Sequence, residues 1–80
     1  MSSILRLVLS IILIMEFKDR LKELRISRNL SQMQLATRIN LSQSAIAKWE
    51  LGKTEPTASA IVTLAKFFEE TTDYLLGVED

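Results

Sequence analysis

The chain has 80 residues, 10 Lys+Arg against 10 Asp+Glu, two glycines and neither cysteine nor histidine. That length makes one domain; no thiolate or imidazole is at hand for a metal site or the usual nucleophile and base, and two glycines are too few for a phosphate-cradling Gly-rich loop. Composition thus excludes most enzyme chemistries, and a formal net charge of zero taken alone argues against a nucleic-acid partner.

Residues 1–15 are apolar at 11 of 15 positions and follow neither a helical nor a strand period. The uncharged run from Leu7 to Met15 is nine residues long, short of the about 20 that a spanning helix needs. Arg6 and this run imitate the front of a signal peptide, but Ile14-Met15-Glu16-Phe17 offers no small-residue cleavage site. The sequence from Met15 reads as complete by itself. Residues 1–15 are therefore expected to be an N-terminal extension, from an upstream start or as an added arm, with the domain at 16–80. An arm packed on the domain or between subunits, and an association with membrane, are the alternatives.

From Phe17 onward the pattern is helical. Phe17, Leu21, Leu24 and Arg28 form one stripe, and Asn29 suits the left-handed position past a helix end. Ser31 followed three residues later by Gln34 is a capping box, with Leu30 and Leu35 as its hydrophobic staple. Ser42 repeats the start signal, with Leu41 and Ile46 as a second staple. Asn40 between them tolerates positive φ. The spacing predicts helices at about 32–39 and 43–51 joined by a tight turn, with Leu35, Ile39, Leu41, Ile46 and Trp49 in a shared core, Ala36 and Ala45 allowing close approach and Met33 as a loosely packed filler. Gly52 closes the second of them. Thr57 is expected to cap a helix with Ile61, Leu64, Ala65 and Phe68 on one face, and Thr72 to cap a last short helix ended by Gly77. The fold class is all-α with five helices.

Charge divides along this plan. Residues 17–53 hold eight Lys and Arg against three Asp and Glu, a net +5, and residues 54–80 hold one lysine against six carboxylates, a net −5. The zero sum hides a basic half that carries the paired helices.

Leu30-Ser31-Gln32-Met33-Gln34-Leu35-Ala36, then Leu41 to Lys53, Pro56, Leu64-Ala65 and Asp73-Tyr74-Leu75-Leu76-Gly77 resemble the XRE-type helix-turn-helix family of phage repressors, Cro proteins and bacterial regulators. The resemblance covers residues 17–77 and implies a compact, lambda-repressor-like domain. Two positions depart from the pattern: Asn40 stands where the turn often has Gly, and Leu51 where a polar or basic residue often lies near DNA. In this geometry the second helix of the unit enters the major groove. Ser42, Gln43, Ser44 and Lys48 fall on its outward face, where Gln pairs with adenine, Lys with guanine, and Ser with either. The resemblance assigns Gln32 and Lys53 to phosphate and Arg25 with Glu50 to a structural salt bridge.

The expected function is sequence-specific binding of double-stranded DNA by a cytoplasmic regulator of repressor type, without catalysis, metal or cofactor and with no membrane. A homodimer on a pseudo-palindromic site would join through the C-terminal helix and tail around Phe68, Leu75 and Val78. The alternative is an antitoxin-like module that binds a partner protein.

Overall fold

A computed structural model describes Ile4 and residues 17–78; the expectations for residues 1–15 otherwise lie outside the described residues. Among these residues there are helices and turns and no strand. The helices are α1 (residues 17–27), α2 (Gln32–Ile39), α3 (Gln43–Glu50), α4 (Ala58–Phe68) and α5 (Thr72–Leu76).

The starts of α2, α3, α4 and α5 are side-chain caps. Ser31 Oγ accepts from Gln34 N at 3.0 Å while Gln34 Oε1 accepts from Ser31 N at 2.8 Å, which closes the expected capping box and satisfies two amides that α2 leaves open. Ser42 Oγ accepts from Ala45 N at 3.1 Å, and Thr57 Oγ1 from Ala60 N at 3.1 Å. The last cap departs from expectation: Thr71, not Thr72, accepts from Tyr74 N, at 3.0 Å. Either threonine satisfies the local pattern, and the burial of Leu75 at the centre of the core goes with the earlier start.

Helix ends are turned by positive φ. Asn29 and Asn40 take φ 57° as anticipated, and so does Glu69 after α4, where neither glycine nor asparagine had signalled it. Helix α3 ends at Glu50, one residue before the expected limit; Leu51 is its C-cap and Gly52 follows at φ +73°.

One apolar core joins all five helices: Phe17 and Leu21 from α1, Leu35, Ala36 and Ile39 from α2, Ile46 and Trp49 from α3, Ala60, Ile61, Leu64, Ala65 and Phe68 from α4, and Leu75 from α5. Leu30 packs against it, whereas Leu41 is exposed and Met33, expected as filler, points its side chain to solvent with 61% of its surface accessible. Burial of this kind contributes about 1.5–3 kcal/mol for each large aliphatic or aromatic side chain, and it fixes the angle at which α3 is presented. Phe68 and Leu75 are 2% and 0% exposed, so they belong to this core and not to the dimer surface expected of them. No described helix is long and apolar enough to cross a membrane.

Arg20 of α1 and Arg28, just past its end, fasten the C-terminal helices. The Arg20 guanidinium lies over the Tyr74 ring at 4.1 Å from its centre. Arg28 Nη2 donates to the Phe68 carbonyl at 3.1 Å, where a cation also suits the negative end of α4. These side chains thus serve the packing of α1.

Candidate nucleic-acid interface

The outward face of α3 is built by subtraction. Ile46 and Trp49 are buried, so the residues between them on the helix surface face away from the core. Ser44 and Lys48 are exposed, and Ser42 is exposed at the helix start. Ser42 already spends its hydroxyl oxygen as the N-cap acceptor, leaving the O–H as a donor. Gln43 is half-buried, because its side chain is engaged inward.

That engagement forms a hydrogen-bonded chain across three helices. Gln43 Nε2 donates to Gln32 Oε1 at 2.8 Å. Gln32 Nε2 donates to Glu50 Oε1 at 3.1 Å. Glu50 also accepts from Arg25, Oε2 from Nε at 2.7 Å and Oε1 from Nη2 at 2.9 Å, a bidentate pair of the strong kind. Arg25 Nη1 closes the set on the Leu30 carbonyl at 2.8 Å. The Arg25 and Glu50 side chains are only 12% and 4% accessible. The hydrogen bond to Glu50 is the main cause that holds the Arg25 pKa above its ordinary value, partly offset by desolvation and helped by the charge of Glu50. The salt bridge therefore stands as expected, with an addition that the sequence did not disclose: the bridge is the root of a chain that ends on Gln43.

The chemistry left over follows from counting donors and acceptors. Among the described residues, the bonds above occupy one N–H of Gln43 and leave its carbonyl oxygen and second N–H. That pair is the edge a bidentate contact to adenine requires. Gln32 gives its oxygen to Gln43 and one N–H to Glu50, which leaves one N–H for a phosphate at the start of α2. Helix starts favour phosphate through their open amides and dipole.

Lys53 is exposed beyond the end of α3. Its backbone N donates to the Lys48 carbonyl at 2.9 Å, and Gly52 N to the Trp49 carbonyl at 3.1 Å. These bonds wrap the chain around the helix end and set Lys53 close to the last turn, with Lys48 in that turn. The signal for the Gln32–Gln43 link was present in the sequence only as two glutamines, each opening one of the paired helices. Of the acidic half, Glu55 lines the same cleft as Lys53, while Glu69 and Glu70 follow α4 and Asp73 is in α5.

Comparison with known proteins points the same way. The pattern of the helix-turn-helix family HTH_3 matches residues 21–75. The chain is 44% identical over 66 residues to the HTH-type transcriptional activator BcrR of Enterococcus faecalis, covering 82% of this chain and 32% of that protein. It is 39% identical over 61 residues to the HTH-type transcriptional regulator AnsR of Bacillus subtilis, 76% of this chain and 53% of that one. It is 33% identical over 60 residues to the SPbeta prophage-derived regulator YonR of Bacillus subtilis, 75% of this chain and 56% of that one. The chain thus spans about a third of the first relative and about half of the other two. No solved structure matches it at a significant level.

Proposed function

The chain belongs to the helix-turn-helix family, and from that premise we propose that residues 17–78 bind double-stranded DNA in a sequence-specific way, with α3 in the major groove, as the DNA-reading part of a cytoplasmic transcriptional regulator. The observation that carries this reading is the anchored glutamine: Gln43, tied through Gln32 to the buried Arg25–Glu50 pair, presents a free amide edge from the first residue of α3. A side chain held in one orientation loses little further freedom on binding, so its hydrogen bonds discriminate between bases rather than ordering a loose chain.

In this reading Gln43, Ser44, Ser42 and Lys48 meet base edges, and Gln32 and Lys53 meet phosphates. Phosphate contacts set register and base contacts read sequence. Regulation follows from occupancy, which makes the protein a repressor where its site overlaps that of polymerase. The relative named an activator is about three times longer than the matched segment, and its activity is not carried over.

A homodimer on a two-fold site fits this geometry, with half-sites ~34–36 Å apart. Val78, 58% exposed just past α5, is the residue of the expected dimer surface that remains outside the core. The test is a gel-shift titration of the full chain against duplex DNA at two salt concentrations. Binding that weakens steeply with salt supports the reading, since neutralised phosphates release counterions; no binding at low salt rejects it.

A further inference from the structure

The loop after α3 borders a half-open cleft of about 460 Å³. Its apolar walls are Phe17 of α1, Trp49 of α3, Pro56 and Ile61 around the start of α4, and Leu76 of α5. Its polar lining includes Lys18, Lys53, Thr54 and Glu55. Gly52 shapes the mouth: a Cβ there would stand 3.4 Å from Lys18 Cδ, and its φ of +73° disfavours any side chain.

We infer that this cleft is a binding site for a small amphipathic anion, an aromatic or aliphatic carboxylate or sulfonate. Two lysines against one carboxylate favour a negative headgroup. Four apolar side chains from four helices, with Pro56 from the loop before α4, form a wall suited to a compact hydrocarbon body.

The site has a consequence for DNA. Lys53 lines the cleft and is also the proposed phosphate contact beyond α3. An anion held there competes for the same charge, so its binding lowers affinity for duplex DNA. This step rests on the DNA-binding reading, whereas the cleft site does not.

Trp49 is the single tryptophan of the chain and lines the cleft, which gives a direct reporter. The full chain, without DNA, is titrated with 1-anilinonaphthalene-8-sulfonate and with its uncharged counterpart N-phenyl-1-naphthylamine. The expected result is saturable energy transfer from Trp49 to the sulfonate dye and preference for that dye over the neutral one. Lys18→Gln and Lys53→Gln should each weaken the sulfonate by roughly two- to fivefold, the scale of an exposed ion pair, and leave the neutral dye unchanged. Equal affinity for the two dyes, no transfer from Trp49, or sulfonate binding untouched by both substitutions overturns the proposal. Trp49 emission that shifts with protein concentration before dye is added assigns the cleft to a second copy and also overturns it. A duplex affinity unmoved by bound sulfonate overturns the regulatory step, while a chain that binds dye but no DNA overturns the DNA-binding reading instead.

Discussion

The side-chain amide of Gln43 donates to that of Gln32 across 2.8 Å, joining the first residues of the two paired helices. Gln32 in turn donates to Glu50, so the orientation of Gln43 is inherited from a salt bridge at the far end of its own helix. This relation changes what Gln32 should do. As a phosphate contact alone, its loss would weaken every DNA sequence alike; as the holder of Gln43, its loss should also blunt discrimination.

Substitution separates the two roles. Gln43→Ala should cost about 1–3 kcal/mol on the preferred sequence and little on unrelated duplexes. Gln32→Ala should weaken both, and weaken the preferred sequence more. Affinities of the two variants for matched and random duplexes, measured by fluorescence anisotropy, check this. A Gln32→Ala variant with full discrimination would remove its positioning role.

The Arg25–Glu50 pair is the anchor of that chain. Arg25→Ala leaves a carboxylate that is 4% accessible without its main partner, and removal of one member of a buried pair costs about 3–5 kcal/mol. Urea unfolding should show this loss, while Arg25→Met with Glu50→Leu should recover much of it. Because the Arg25 pKa is raised, its contribution is complete below the ordinary arginine range and is lost only as pH climbs through the raised value. Stability lost by this route between neutral pH and mild alkali would contradict the assignment.

Glu69 takes φ 57° at the end of α4, a conformation that costs an L-residue roughly 1–2 kcal/mol. Its negative charge is also unfavourable at a helix C-terminus. Glu69→Gly should therefore stabilise the domain by about 1 kcal/mol, seen as a higher midpoint in thermal unfolding. An unchanged or lower midpoint would mean that the Glu69 side chain earns its place by contacts outside those described.

Asn40 has the same φ of 57° in the turn between α2 and α3. Asn40→Gly should be nearly neutral and Asn40→Ala destabilising by about 1 kcal/mol, because alanine lacks the local hydrogen bonding that makes asparagine tolerant there. Equal stability of the two variants would show that the turn relaxes.

What the sequence made legible was mainly local. Ser31 with Gln34, Ser42 and Thr57 are caps whose partners lie three residues away, so the pattern and the bond are nearly the same information. The apolar stripes located the core because periodicity reports which face is buried. Asn29 and Asn40 announced their left-handed turns by residue type. Glu69 did not, since the turn after α4 is imposed by packing rather than by local preference. Thr71 and Thr72 were equivalent until Leu75 fixed the register. Phe68 and Leu75 looked like dimer contacts because an apolar residue in a terminal helix carries no mark of which side it faces. The link from Gln43 to Glu50 was invisible for a stronger reason: it depends on how α2 crosses α3, and no spacing along the chain encodes that angle.

The central claim is that α3 reads DNA sequence through an anchored Gln43. The most direct measurement is selection of bound duplexes from a random library by the full chain and by Gln43→Ala, at low and moderate salt. The account predicts an enriched motif of two half-sites about one helical turn apart, with an adenine preference that disappears in the variant while the rest of the motif remains. An unenriched library at low salt, or an identical motif for the two proteins, would contradict it.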